Sequence, residues 1–388
     1  MKVGMFGGTF NPPHLGHLQG ARAAVDALGL DLLYVVPSKE PPHKALPLES
    51  PEPEMRYRLT EALFAGEARV EVTDLELRRP GPSYSVDTAL ELKGRHPDAV
   101  IYLLLGTDMF LSLERWHRAE ELLQIVTPIV FARVGGQEQE VAAYAAQLRA
   151  QYGISPLMVD HEVFAVTSTD LRDMLPARQG AALVGDAVYG EIMRERYYGA
   201  KPEFSWLLGQ IARINPRRLA HTEGTAETAV KLAGHWGVDT EQAREAAILH
   251  DITKGLDREE QLRFCEKYGM MPDIVERENQ KLLHAMTGAG MARAEFGVCD
   301  AVFEAILCHT TGRPGMTCLD QVLYMADYIE PNRDFAEVQP LRELAYTDLD
   351  AAVARGLALT ARELEQKGAA VHPRSVAAAE WFRQRPKG

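Results

Sequence analysis

The apolar positions along this chain fall into two regimes. Over residues 1–200, short apolar runs at 3–6, 32–36, 100–105, 129–132 and 157–159 alternate with stretches in which apolar residues recur every three or four positions. That alternation predicts strands joined by helices, hence a parallel sheet covered on both faces. The run Ile101-Tyr102-Leu103-Leu104-Leu105 is apolar throughout instead of at every second position, as expected of a central strand buried on both sides. A doubly wound α/β domain follows, with ligands expected at the carboxyl ends of its strands. Beyond about residue 200 the strand signal ends. Helical periodicity takes over at 217–236, 241–252, 300–308, 318–329 and 349–366, broken by Gly, Pro and polar turns, with Asp239 placed to cap the second of these. The second domain is expected to be all-α. Tyr198-Gly199-Ala200-Lys201-Pro202 reads as the junction, giving domains over 1–200 and 203–388.

Length and composition narrow the class without assigning a function. At about 150 residues per domain, 388 residues make two or three domains. Apolar residues at 46% and charged residues at 25% are the balance of a globular protein with a sizeable core, which excludes a disordered or fibrous chain. The net charge is −13, and both halves are acidic. A general binder of nucleic-acid polymers needs the opposite surface. No apolar stretch approaches the ~18 residues that span a bilayer, so no membrane partner is expected. Cys265, Cys299, Cys308 and Cys318 all lie in the second half without a Cys-x-x-Cys pair, and the chain enters a strand-like segment at residue 2, so no signal peptide is expected. Free thiols in a reducing, cytoplasmic setting are the expectation.

Candidate chemistry begins where the first apolar run ends, at Gly7-Gly8-Thr9-Phe10-Asn11-Pro12-Pro13-His14-Leu15-Gly16-His17, which opens onto a helical stretch at 18–28. Glycines at a strand-to-helix turn let the backbone approach a phosphate, and the helix start offers unpaired N–H groups and a positive dipole. His14 and His17, three apart, share a face of the first turn and suit a triphosphate whose charge is shifting. A tight turn with incidental histidines is the bland alternative; His-x-Gly-His at a helix start argues against it.

This segment resembles the (H/T)xGH signature of the nucleotidyltransferase superfamily, and its longer form is similar to bacterial nicotinate mononucleotide adenylyltransferases. The likeness continues in order through Pro41-Pro42-His43-Lys44, Asp74-Leu75-Glu76, Ser83-Tyr84-Ser85-Val86-Asp87-Thr88, Leu105-Gly106-Thr107-Asp108 with Trp116, and Thr167-Ser168-Thr169-Asp170-Leu171-Arg172. One departure is Arg133-Val134-Gly135, where the family has Arg-Pro-Gly. The resemblance implies a Rossmann-like nucleotidyltransferase fold and adenylyl transfer from ATP, accompanied by Mg²⁺, to nicotinate mononucleotide, an in-line attack at the α-phosphorus that expels pyrophosphate. No covalent intermediate is needed, so positioning and charge stabilisation carry catalysis. On this basis His14 and His17 face the α/β-phosphate region, and Lys44 and Arg172 the departing pyrophosphate. Gly7, Gly8, Thr9, Phe10, Gly106, Asp108, Ser168 and Thr169 hold ATP, with Ser168 and Thr169 just before a helix that Asp170 opens. Ser83, Tyr84, Thr88, Trp116 and Arg133 form the pyridine-nucleotide pocket, Trp116 offering a stacking face; core filling is the rival role for that tryptophan. Pantetheine-phosphate adenylyltransferase shares the first motif but is shorter.

In the second half, His221, His250-Asp251, His284, His309 and Asp327 fall at helix ends or beside polar turns. A lone histidine on an apolar helix is more often a core residue than a ligand; an ordered series of four with two aspartates is another matter. The order resembles the HD superfamily of metal-dependent phosphohydrolases. Imidazole with carboxylate suits a transition metal, and six side chains favour a dinuclear centre, iron first, with manganese or another ion as alternatives. Asp251 is the expected bridge. Lys254, one helical turn from Asp251, is placed to meet a substrate phosphate or, alternatively, to be a solvated helix-end lysine. His309-Thr310-Thr311-Gly312 and Tyr328-Ile329-Glu330-Pro331-Asn332-Arg333 look like the bacterial HD subfamily that splits diadenosine tetraphosphate symmetrically into two ADP, which implies Thr310 and Arg333 in substrate binding. His235 and His372 have no partner motif and read as structural or surface residues. The expected partners are thus ATP, nicotinate mononucleotide and a dinucleoside polyphosphate, and a homo-oligomer is compatible with the sequence. The alternative is an adenylyltransferase fused to an HD domain that acts on another nucleotide or is a silent regulatory module.

Overall fold

In the structure, a computed structural model, residues 1–42, 45–131, 138–159 and 164–385 are described. Contacts divide the chain into two units, Met1–Lys201 and Pro202–Gly388. In the first, six strands run β1 (Lys2–Gly8), β2 (Leu32–Pro37), β3 (Val70–Val72), β4 (Val100–Gly106), β5 (Val126–Phe131) and β6 (Leu157–Val159). All pair in parallel in the order β3-β2-β1-β4-β5-β6. The continuous apolar runs of the sequence become the central strands, with Val3 in register with Leu32 on one side and Ile101 on the other. Strand β3, three residues with none buried, has no legible run in the sequence. Chain order reverses between β1 and β4, so the carboxyl ends of those strands, at Gly8 and Gly106, open the crevice where doubly wound sheets take ligands.

The second unit is helical. Its helices include Leu219–Trp236, Thr240–Leu249, Gln280–Phe296, Asp300–Cys308, Cys318–Ile329 and Leu349–Gln366 around one apolar core. Asp239 caps as expected, its carboxylate accepting from the N–H groups of Glu241 (2.8 Å) and Gln242 (3.1 Å). The helix it starts ends at Leu249, three residues short of the sequence expectation, because His250 and Asp251 leave the helix to enter a buried turn. Leu219–Trp236 packs against Thr240–Leu249 and Cys318–Ile329, and Gln280–Phe296 against Asp300–Cys308. These five helices carry or adjoin His221, His250, Asp251, His284, His309 and Asp327. No helix among the described residues is long and apolar enough to cross a membrane.

Candidate active sites

At the end of β1 the chain turns through residues 9–14 into the helix Leu15–Leu28. His14 is the N-cap of that helix, and its Nδ1 accepts the Gly16 N–H (3.2 Å), while His17 Nδ1 accepts the His14 N–H (3.1 Å). Both Nδ1 atoms are acceptors, so each neutral ring carries its proton on Nε2. Burial lowers His14 to about 4 and, with the neighbouring ring, His17 well below its ordinary value. The pair, with ring centroids 3.8 Å apart, is thus two neutral N–H donors at neutral pH. Close approach requires the glycine between them: a Cβ on Gly16 would lie 2.7 Å from the Phe164 ring, which stacks on His14 at 5.4 Å.

The His14 shift makes a stability prediction. Unfolded histidine takes up its proton near pH 6.5 and the folded ring only near 4, so the unfolded chain binds more protons in between and stability falls with falling pH. His14 alone is expected to remove about 3 kcal/mol between pH 7 and pH 4. Denaturant unfolding of the full chain across that range checks it; wild type and His14→Gln should differ in slope, and parallel curves would contradict the assignment.

Behind the loop stand groups that hold its carbonyls. Arg56, fully buried, donates to the Thr9 (2.7 Å) and Lys39 (3.1 Å) carbonyls. Arg172 donates to the Asn11 carbonyl (2.6 Å) and the Thr169 hydroxyl (3.0 Å), and the Ser168 hydroxyl to the Pro12 carbonyl (2.8 Å). Ser168, Thr169 and Arg172 are therefore brought to the histidine loop from more than 150 residues away. Their helix begins at Ser168, with Thr167 as its cap, two residues earlier than the sequence suggested, because the Thr167 hydroxyl and the Asp170 carboxylate form a reciprocal capping box.

A cavity of about 340 Å³ opens at the carboxyl ends of β1 and β4. Gly7, Gly8, Thr9, Phe10, His17, Ser83, Tyr84 and Trp116 line it, as do Glu76 and His117, which sequence reasoning did not assign. Trp116 is half-buried, so its ring serves both core and cavity wall. Thr88 is fully buried and does not line the cavity; its hydroxyl donates to Glu76 Oε1 (2.8 Å) and accepts from Arg79 Nη2 (2.8 Å), so it holds the cavity-lining Glu76. Burial pushes the Glu76 carboxyl up. Gly106 ends β4 and Asp108 follows in a short helix; neither lines the cavity, nor do His14, Ser168, Thr169 and Arg172. Lys44 and Arg133 lie outside the described residues.

In the second unit all six expected side chains converge. Asp251, 1% exposed, is at the centre. Its Oδ2 is 3.3 Å from His250 Nε2 and 3.5 Å from His221 Nε2; its Oδ1 is 3.1 Å from His284 Nε2 and 3.6 Å from His309 Nε2. Asp327 Oδ1 approaches His221 Nε2 (3.0 Å) and His250 Nε2 (3.8 Å). Burial pushes both carboxyls up, but the surrounding imidazoles outweigh it and hold them well below the usual carboxylate range. Burial lowers His284 to about 4.

The donor set fits a divalent metal. His250 and His309 each follow a helix, and each places Nδ1 2.7 Å from the carbonyl three residues back, on Ala247 and Ile306. His221 Nδ1 is 3.1 Å from the Glu330 carboxylate. Carbonyls and carboxylates only accept, so these three rings carry their protons outward and turn Nε2 lone pairs into the cluster. His221 and His250 then face each other Nε2 to Nε2 at 3.3 Å, and Asp251 Oδ1 is buried without a hydrogen bond. Lone pairs packed in this way repel unless a cation lies among them. His221, His250 and Asp251 form one set able to hold an ion, Asp251, His284 and His309 another that shares the aspartate, and His250, His309 and Asp327 a third.

A cavity of about 660 Å³ reaches this cluster, lined by His284, His309 and Asp327, by the expected Lys254, Thr310 and Arg333, and by Arg218 and Lys281. Lys254 Nζ sits 3.0 Å from Asp251 Oδ2, Arg218 donates to the same oxygen, and Arg333 Nη2 is 2.7 Å from Asp327 Oδ1. Arg218 and Glu330 are additions to the sequence reading. Of the two remaining histidines, His235 is exposed, and buried His372 caps the last helix while bonding to Asp273 (3.0 Å).

Comparison with known proteins assigns each unit to a family. The cytidylyltransferase-like family model matches residues 5–174, and the HD domain model residues 218–332. A probable nicotinate-nucleotide adenylyltransferase of Geobacillus thermodenitrificans is 35% identical over 201 residues, covering 52% of this chain and 87% of the relative. The symmetrical bis(5'-nucleosyl)-tetraphosphatase of Bacillus subtilis is 39% identical over 171 residues, covering 44% of this chain and 91% of the relative. The solved structure of a predicted HD superfamily hydrolase involved in NAD metabolism from Clostridium acetobutylicum is 34% identical, with a TM-score of 0.46, and covers 47% of this chain and 97% of that one. The chain thus joins two families: its first half belongs to the nicotinate-nucleotide adenylyltransferases of the cytidylyltransferase-like group, and its second to the HD-domain family of the symmetrical bis(5'-nucleosyl)-tetraphosphatases.

Proposed function

We propose that this chain is a bifunctional nucleotide enzyme of the cytoplasm. A domain over 1–200 transfers the adenylyl group of ATP to nicotinate mononucleotide, and a domain over 203–388 hydrolyses diadenosine tetraphosphate to two ADP. For the first activity the supporting observation is the pair of neutral Nε2–H donors beside a cavity at the sheet's reversal point. A phosphate oxygen of the mononucleotide attacks the α-phosphorus of ATP, the bond to the β-phosphate oxygen breaks, and pyrophosphate leaves. His14 and His17 donate to oxygens on which charge gathers, and their fixed tautomers spare reorganisation during the reaction. Trp116 stacks on the pyridine ring, while Arg172 and Lys44 receive the pyrophosphate. Mg²⁺ brought with ATP would neutralise the phosphates.

For the second activity the carrying observation is Asp251, which turns one oxygen toward His221 and His250 and the other toward His284 and His309. Those residues with Asp327 would hold two divalent ions, iron or manganese. Such ions supply Lewis acidity at a central phosphate and lower the pKa of water. Arg218, Lys254, Lys281 and Arg333 give the cavity the positive charge that a polyphosphate needs and that the chain as a whole lacks. Glu330 keeps the His221 Nε2 lone pair directed at the cluster. A Cβ on Gly224 would come within 2.7 Å of its Oε2, so a glycine there leaves the room that carboxylate occupies. Glu330→Gln is expected to weaken metal affinity about 10- to 100-fold, measured by competition with a chromophoric chelator; unchanged affinity would contradict the orienting role.

The test of the whole reading uses the purified full chain. ATP with nicotinate mononucleotide should give the dinucleotide and pyrophosphate, and diadenosine tetraphosphate should give ADP alone. Release of AMP and ATP, or turnover of only another nucleotide by the second domain, would reject the second half of the proposal.

A further inference from the structure

The stretch that ends the first unit is strained where a plain connection would not be. Tyr198 has left-handed backbone angles (φ 62°, ψ 22°), a conformation disfavoured for a bulky side chain, and Arg196 (φ 52°) and Gly199 (φ 62°) share it. Such strain persists only where the surroundings over-determine it, and it gathers at functional sites. Here it turns the Tyr198 ring inward, to 5% exposure, and brings its hydroxyl to Asn11 Oδ1 (2.9 Å), 187 positions away. Burial, against the pull of Arg56 and Arg172, pushes the phenol up, so the hydroxyl keeps its proton and donates. Asn11, 1% exposed, donates through Nδ2 to the Ser50 hydroxyl (2.7 Å), while its carbonyl accepts from Arg172. The far end of the stretch is held as well. Lys201 N–H donates to the Leu175 carbonyl (3.0 Å), directly behind the Ser168–Met174 helix, and the Lys201 carbonyl accepts from the Tyr189 hydroxyl (3.4 Å). Residues 198–201 are thus fastened to the histidine loop at one end and behind the helix of Ser168 and Arg172 at the other.

The loop between Gly8 and Leu15 belongs to neither strand nor helix, so donors from elsewhere fix its course. Arg56, Arg172 and Ser168 each hold a main-chain carbonyl of it, on Thr9, Asn11 and Pro12. Of these four donors Tyr198 alone grips a side chain, which sets the rotation of the Asn11 amide three residues before His14. Two imidazole donors help the chemistry only if they stand in place before charge develops, and a small displacement far from the reacting atoms is enough to lose part of that help. We propose that Tyr198 is a positioning residue for adenylyl transfer: its hydroxyl, acting through the Asn11 amide, fixes the loop that carries His14 and His17. The last residues before the second unit are then part of the first unit's catalytic scaffold and not a passive linker. This rests on the reading of the first domain as an adenylyltransferase.

Tyr198→Phe in the full chain keeps the ring and deletes the hydroxyl. Well below the unfolding transition, it should lower kcat for adenylyl transfer about tenfold and leave KM for nicotinate mononucleotide within about twofold of wild type, with an unchanged circular dichroism spectrum. Asn11→Ala breaks the same contact from the other side and should lower kcat at least as far. The double variant should be no more than about twofold slower than Asn11→Ala, because the hydroxyl then has nothing left to hold. A kcat within twofold of wild type in Tyr198→Phe would overturn the assignment and leave the ring as core filling. So would a loss carried by KM, or single effects that multiply in the double variant. If the wild-type chain forms no dinucleotide from ATP and nicotinate mononucleotide, the adenylyltransferase reading itself falls, a result separate from any variant outcome.

Discussion

Asp251→Ala is expected to strip the second domain of bound metal and reduce ADP release from diadenosine tetraphosphate about a thousandfold or more, with adenylyl transfer in the first domain unchanged. The size follows from position. Asp251 approaches all four imidazoles and is shared by two of the three candidate ion sets in this cluster, so its loss weakens two sets together, whereas loss of an orienting residue outside the cluster costs about 10- to 100-fold. The same carboxylate is the partner of Arg218 and Lys254, and its removal leaves two cations facing a buried space. Breaking a buried ion pair from one side costs about 3–5 kcal/mol, so some instability of the second domain accompanies the change. Asp251→Asn separates the two effects: the amide keeps the shape and can still accept from Arg218 and Lys254, but it is a poor bridge between cations. Elemental analysis, ADP release and adenylyl transfer on one preparation give the readout. Full metal content with full hydrolysis in Asp251→Ala would remove Asp251 from the site.

Order along the chain is what made both sites legible. Strand-to-helix glycines with His-x-Gly-His, and a series His, His-Asp, His, His, Asp, are residue types out of place in ordinary helices, so they stand out wherever the fold puts them. The central strands were legible for a related reason: a run such as 101–105, apolar at every position, suits few environments besides a sheet covered on both faces. What stayed hidden are residues whose type is ordinary and whose meaning is a contact. Glu330 reaches His221 across 109 positions, and Arg56 reaches Thr9 across 47; a motif that contains the glutamate does not say which side chain it meets, and an arginine in a helical pattern carries no sign of its partner. Thr88 shows the converse. A motif placed it at the pocket, and only its hydrogen bonds show that it is buried between Glu76 and Arg79.

His17→Ala is expected to lower kcat/KM for adenylyl transfer about 100- to 1,000-fold, mostly through kcat, while hydrolysis by the second domain is unchanged. A donor aimed at charge that develops only in the transition state acts on kcat, and loss of one preorganised donor of this kind costs about 100- to 1,000-fold. His17 also has a structural duty, since its Nδ1 accepts the His14 N–H and closes the reciprocal cap at the start of Leu15–Leu28. Loss of that cap costs about 1 kcal/mol and loosens His14, so alanine alone would mix two effects. His17→Asn distinguishes them. Its side-chain oxygen can accept the His14 N–H and restore the cap, but the shorter amide cannot place a donor where imidazole Nε2 stands. Recovered stability with kcat still depressed assigns the loss to the donor. Recovery of both would make His17 a helix cap and nothing more, and would leave the role at the phosphates to His14.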